Sequence, residues 1–109
     1  MKVMLYCVLD HVAETEQLLR DLSEKGYNGT VIPTTGLHHV LPKFDDGSAA
    51  ISLASMVDDL PQGNITLFIV IDEEKVDDLK KVIVEATHDF TYIKGGCFVL
   101  PILSWEGSF

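Results

Sequence analysis

The stretch ITLFIVI, from Ile65 to Ile71, constrains the fold most strongly. It is rich in β-branched residues, which suits a strand, and it is apolar on both faces. Strand alternation puts Ile65, Leu67, Ile69 and Ile71 on one side and Thr66, Phe68 and Val70 on the other. Such a strand belongs inside a sheet that is covered twice. A chain of 109 residues has room for one domain and one core, so its own helices can cover only one face. The other face is expected to be covered by association between subunits.

Other elements group around this strand. The amino-terminal run MKVMLYCVLD predicts a first strand from Lys2 to Leu9, with no small-residue cleavage site after it. Asp10 is expected to cap a helix, with Glu14 and Glu16 in its early turns. Thr15, Leu18, Leu19 and Leu22 share one face of that helix, and Gly26 stops it. A second strand is expected from Tyr27 to Thr34, ending or lying at an edge because of Pro33. Residues 36–62 are irregular, with two histidines, two prolines and a small-residue stretch that predicts a short helix within 48–60. Gly63-Asn64 signals a turn into the strand. After it, Asp72 is expected to cap a second helix whose buried stripe is Val76, Leu79, Val82, Ile83 and Ala86. Asp77 and Lys81 are spaced to pair on its surface, and Thr87 to Asp89 should break it. Phe90 to Ile93 and Cys97 to Leu103, around Gly95-Gly96, read as a closing strand or a broken strand pair. The order is β-α-β, long loop, β-α-β. Its simplest packing is a two-layer α/β sandwich, α+β in class: a ferredoxin-like βαββαβ fold with an antiparallel sheet and both helices on one face.

Composition excludes several functions. Acids outnumber bases 17 to 8, the formal charge is −9, and Arg20 is the sole arginine. Neither a nucleic-acid partner nor an anionic membrane surface suits that balance. The longest apolar run, Val3 to Leu9, is far too short to span a bilayer. Without a targeting segment, the cytoplasm is the expected location. Cys7 and Cys97 match no metal or redox spacing and read as buried free thiols. No serine sits in a G-x-S-x-G elbow, no Walker A pattern occurs, and neither cysteine has a histidine in a recognisable arrangement, so catalysis is not expected.

Local features admit two readings each. His38 and His39 are either solvated loop side chains or metal ligands, completed by Asp45 or Asp46 if the loop folds back. His88 suits a helix carboxyl end. Trp105, the only tryptophan, either stacks on a ligand or packs against a neighbouring subunit.

Three segments resemble a known family. GYNGTVIPTTG (26–36) resembles the second strand and loop base of P-II-like signalling proteins, in particular the cyclic-di-AMP receptor branch. There a T-x-x-x-T-T-G pattern leads into the T-loop, and Thr30, Thr34, Thr35 and Gly36 fit it. GNITLFIVIDEEKVDDLKKVI (63–83) is similar to the return from that loop, and GGCFVLP (95–101) to the closing strand. The resemblance implies one P-II-like domain over residues 1–109, with a long T-loop-like segment at 36–62. It implies a homotrimer with a small-molecule ligand between subunits, cyclic-di-AMP or an adenine nucleotide, and a target protein engaged through the loop. Carried over, the ligand residues are Asn28, Thr30, Thr35, Gly36, Leu37, His38, Gly63, Asn64 and Trp105. Asn28 stands where the branch has an arginine, and Leu37 and His38 stand where it has glycine and phenylalanine. The phosphate-holding glycine-rich B-loop of nitrogen-regulatory P-II proteins has no counterpart. Two alternatives on the same scaffold are a divalent-metal-binding trimer using His38 and His39, similar to divalent-cation-tolerance proteins, and an interaction module without a small ligand.

Overall fold

In the computed structural model the described residues are 1–38, 41 and 63–109. Strand β1 (Lys2–Asp10) leads to helix α1 (Ala13–Glu24) and strand β2 (Thr30–Thr34). After the 36–62 segment come β3 (Asn64–Asp72), a 3-10 turn (Glu73–Lys75), α2 (Val76–Thr87) and β4 (Gly95–Pro101). The sheet order is β2-β3-β1-β4, with every neighbouring pair antiparallel. This is the expected ferredoxin-like arrangement, and β2, which carries Pro33, lies at an edge.

Register decides which face each side chain takes. Val3, Leu5, Cys7 and Leu9 of β1 oppose Ile71, Ile69, Leu67 and Ile65 of β3. All but Ile71, which is partly covered, are buried, and with Leu18 and Leu22 of α1 and Leu79 and Ile83 of α2 they make up most of the core. The other face holds Met4, Tyr6 and Val8 beside Val70, Phe68 and Thr66, with Ile32, Phe98 and Leu100 on the flanking strands. Ile32, Phe98 and Leu100 are 43%, 50% and 41% exposed, so this face is apolar and uncovered by the chain itself. Tyr6 and Phe98 stack on it at 5.0 Å.

Several local expectations need correction. Asp10 does not cap α1: it completes β1 opposite Asn64, and Val12 is the N-cap. The capping group is the buried Thr15 hydroxyl, which accepts the Val12 N–H at 3.2 Å and donates to the Asp10 carbonyl. Thr15→Val keeps the shape and removes both bonds, so a loss of about 1–2 kcal/mol is expected in chemical denaturation. Asp72 likewise closes its strand, and its carboxylate pairs with Lys2 at 3.2 Å instead of capping a helix amide. Asp77 and Lys81 form no ion pair; among the described residues the pairs are Lys2–Asp72 and His11–Glu16. Exposed long side chains gain too little from pairing to be held together.

Phe90 to Ile93 is not a strand. Helix α2 runs into a left-handed turn, with φ of 51, 55 and 61° at His88, Asp89 and Phe90. The Thr87 hydroxyl accepts the Phe90 N–H at 3.1 Å, and the Thr87 carbonyl accepts those of Thr91 and Tyr92. These local bonds use the amides a sheet ladder would need. The turn drops Ile93 into the core and stacks the His88 ring on Tyr92 at 3.9 Å. The first helix stops at Gly26 as expected, through a φ of 88°.

Candidate functional site

The base of the long loop is a polar cluster at one end of the sheet. Thr34 closes β2 and Asn64 opens β3, and the two are directly opposed. Thr34 Oγ1 donates to Asn64 Oδ1. Its single proton is then committed, so the contact of 3.0 Å with Thr66 Oγ1 has Thr66 as donor. This chain of bonds orients the Asn64 amide nitrogen, a donor of the kind that a phosphate or base edge accepts. Next in sequence, the Thr35 hydroxyl is buried with no hydrogen-bond partner among the described residues. Gly63 is required by close packing: a Cβ there would sit 2.4 Å from the Thr34 carbonyl oxygen. The loop base is therefore closely packed and hydrogen-bonded on its sheet side, and its Thr35 hydroxyl has no partner among the described residues.

Leu37 and His38 follow and are exposed, Leu37 by 69%. The second histidine of the metal reading, His39, and its acids Asp45 and Asp46 lie outside the described residues, as does the short helix expected within 48–60. Among the described residues no group of three metal-ligating side chains converges.

Asn28 and Thr30 lie elsewhere. Thr30 opposes Phe68, four positions along β3 from Asn64, which is about 13 Å of strand. With Phe68, Val70 and Phe109 they line an open cleft of about 390 Å³. A second cleft of about 400 Å³ shares Asn28, Val70 and Phe109 and adds Lys2, Lys25 and Lys75 with Asp72 and Asp78. Trp105 sits at this same end, where Lys2 Nζ lies 5.7 Å from its ring centroid. Within one chain, then, the nine sequence-derived positions do not form one pocket. Thr35, Gly36, Gly63 and Asn64 gather at the loop base, while Asn28, Thr30 and Trp105 are toward the opposite end of the sheet.

Thr66, Phe68, Val70 and Phe109 were not singled out from the sequence as site residues. The first three sit on the uncovered face, and only the register of β3 against β2 shows which side chains meet there. The aromatic tail SWEGSF was the available signal for Phe109. Among the ionisable groups, the notable shift is at Cys97. Its thiol is pulled down to about 7, chiefly by a hydrogen bond with Cys7, while burial opposes and the Lys80 charge assists. Cys7 moves the opposite way, held protonated by that same bond and by burial.

No protein-family model matches the chain, and no curated protein does. Solved structures do. A protein of unknown function from Pediococcus pentosaceus is similar over 99% of each chain, at 19% identity and a TM-score of 0.63. The PII protein of Arabidopsis thaliana, solved with bound citrate, is similar over 93% of this chain and 74% of its own, at 17% identity and a TM-score of 0.59. The fold is therefore P-II-like.

Proposed function

We propose that the protein is a non-enzymatic small-molecule sensor of P-II-like type. It works as a homotrimer, binds cyclic-di-AMP or an adenine nucleotide between subunits, and signals to a target protein through its 36–62 loop. The observation that carries the ligand reading is the loop base itself. The Thr34–Asn64–Thr66 bonds hold an amide donor in place, and the buried Thr35 hydroxyl beside it has no partner among the described residues. A buried hydroxyl of this kind calls for a partner that a ligand can supply.

Trimerisation explains why the site is split. Loop base and Trp105 are at opposite ends of one sheet, so a ligand touching both groups must take them from different subunits. The apolar face of Met4, Tyr6, Phe68, Phe98 and Leu100 is the surface on which copies would close. With Asn28 in place of a guanidinium, phosphate recognition falls to neutral donors and backbone amides at the glycines. Ligand contacts to residues on both sides of the 36–62 segment would couple occupancy to the loop and so to the target protein.

Thermal denaturation with cyclic-di-AMP, ATP, ADP and AMP tests this. A true ligand stabilises by about 2.7 kcal/mol at a hundredfold excess over Kd. The expected result is a clear rise in Tm with one of these nucleotides, reduced in Thr35→Val and Asn64→Ala variants. No rise with any of them at millimolar concentration rejects the nucleotide reading.

A further inference from the structure

Cys7 and Cys97 are the only cysteines in the chain, and they are 90 positions apart. The sheet makes them direct partners: Cys7 of β1 opposes Cys97 of β4, on the helix-covered face. Both are free thiols. Directly opposed residues in an antiparallel pair have Cα atoms about 4.5–5.5 Å apart, inside the range of about 4.4–6.8 Å that a disulfide spans. Their environments differ in a useful way. Cys7 is fully buried in the core, while Cys97 is on an edge strand and only partly covered.

We propose that Cys97 and Cys7 form a reactive dithiol, a modification site for peroxide, in which Cys97 is attacked first and Cys7 resolves it into a β1–β4 disulfide. In the first step the Cys97 thiolate attacks one peroxide oxygen; the O–O bond breaks, a sulfenic acid forms, and hydroxide leaves with the electron pair. In the second, the Cys7 sulfur attacks the Cys97 sulfur and the S–O bond breaks. The departing hydroxide takes the Cys7 proton and leaves as water. With the proton released when Cys97 ionised, the sum is two thiols and one hydrogen peroxide giving one disulfide and two waters. Each sulfur loses one electron, and peroxide is the species reduced.

The assignment of roles rests on access and on charge. Only Cys97 is reachable from solvent. The groups facing it are the Cys7 thiol across the strand pair and the Lys80 ammonium on α2, and both favour its thiolate. Cys7, kept protonated in the core, is protected from direct oxidation and is already in contact when the sulfenic acid forms. The bond would staple the central strand to the edge strand that leads into the Trp105 tail. The site is independent of the loop base and of any nucleotide.

The test treats the intact protein with equimolar hydrogen peroxide, blocks remaining thiols with iodoacetamide and maps peptides under non-reducing conditions. The expected product is one cross-linked peptide pair holding Cys7 and Cys97, reversed by dithiothreitol. Recovery of both peptides in alkylated form overturns the proposal. So does a cross-link found only between copies, or Cys97 driven to sulfinic acid with Cys7 still alkylated. In a Cys7→Ala variant, dimedone should trap the Cys97 sulfenic acid that the unsubstituted protein does not accumulate. If that variant does not fold, the alkylation of Cys97 in the unsubstituted protein decides its role. Its rate should be half-maximal below the ordinary thiol range, and a profile that rises only within that range overturns it.

Discussion

If the proposed trimer closes on the open sheet face, Phe98→Glu is expected to give monomers, read as a threefold lower mass than the unsubstituted protein by light scattering or sedimentation. Phe98 lies midway along the edge strand β4 on the uncovered sheet face, 50% exposed, with its ring stacked on Tyr6. Met4, Val8, Val70, Ile32 and Leu100 extend the same apolar surface across all four strands. Closing that surface in a trimer would desolvate each introduced carboxylate at a cost of several kcal/mol per ion, which the apolar contacts must then offset three times over. The subunit itself should keep its far-ultraviolet circular dichroism, because Phe98 points away from the core. Val84→Glu is the control. Val84 is exposed on α2, across the sheet from this face, and its substitution should leave the mass unchanged. A trimer that survives Phe98→Glu excludes the open face as the interface.

The largest effect on the subunit's own stability is expected at Gly95. Its φ is +141°, and a Cβ built there would stand 2.0 Å from the Val8 carbonyl oxygen. Both parts of the clash are backbone in the β1–β4 pair, so no side chain can move aside. Gly95→Ala should cost at least about 1–3 kcal/mol, the range for strain at such a backbone position, with the backbone clash adding to it. Its neighbour supplies the comparison. A Cβ at Gly96 meets nothing within 4 Å, so Gly96→Ala should stay within about 1 kcal/mol of the unsubstituted protein. Chemical denaturation at one fixed protein concentration checks both, since an oligomer's stability depends on concentration. A loss below about 1 kcal/mol at Gly95 would show that β4 relaxes away from β1 at its start.

The elements were legible where one local rule governed them. The periodicity of Leu18 and Leu22, and of Val76, Leu79 and Ile83, was sufficient to place both helices and their buried faces. Gly26 marked the end of the first, and Pro33 marked an edge strand. Local rules failed at the strand ends. Asp10 and Asp72 have the chemistry of helix caps, but each is recruited into the β1–β3 pair, opposite Asn64 and Lys2. Capping passed to Thr15, whose apolar-face position had marked it only as a core residue. The Phe90 to Ile93 segment reads as a strand by composition, yet Thr87 captures its amides first.

The candidate site shows the same division. Thr34, Thr35, Gly36, Gly63 and Asn64 could be read together because both sides of the long loop must meet where it leaves the sheet. That Thr30 lies toward the opposite end of the sheet, with Asn28 and Trp105, follows from strand length and register alone. By itself the sequence determined the order of strands and helices, the apolar character of both faces of Ile65 to Ile71, and the net charge of −9. Those are properties of composition and of short-range period. Only the tertiary structure decided which of those faces is left open, that the site is split, and that Cys7 meets Cys97. Pairing between strands is set by how distant segments share one core, and a one-residue slip in register would have turned every one of those side chains to the other face.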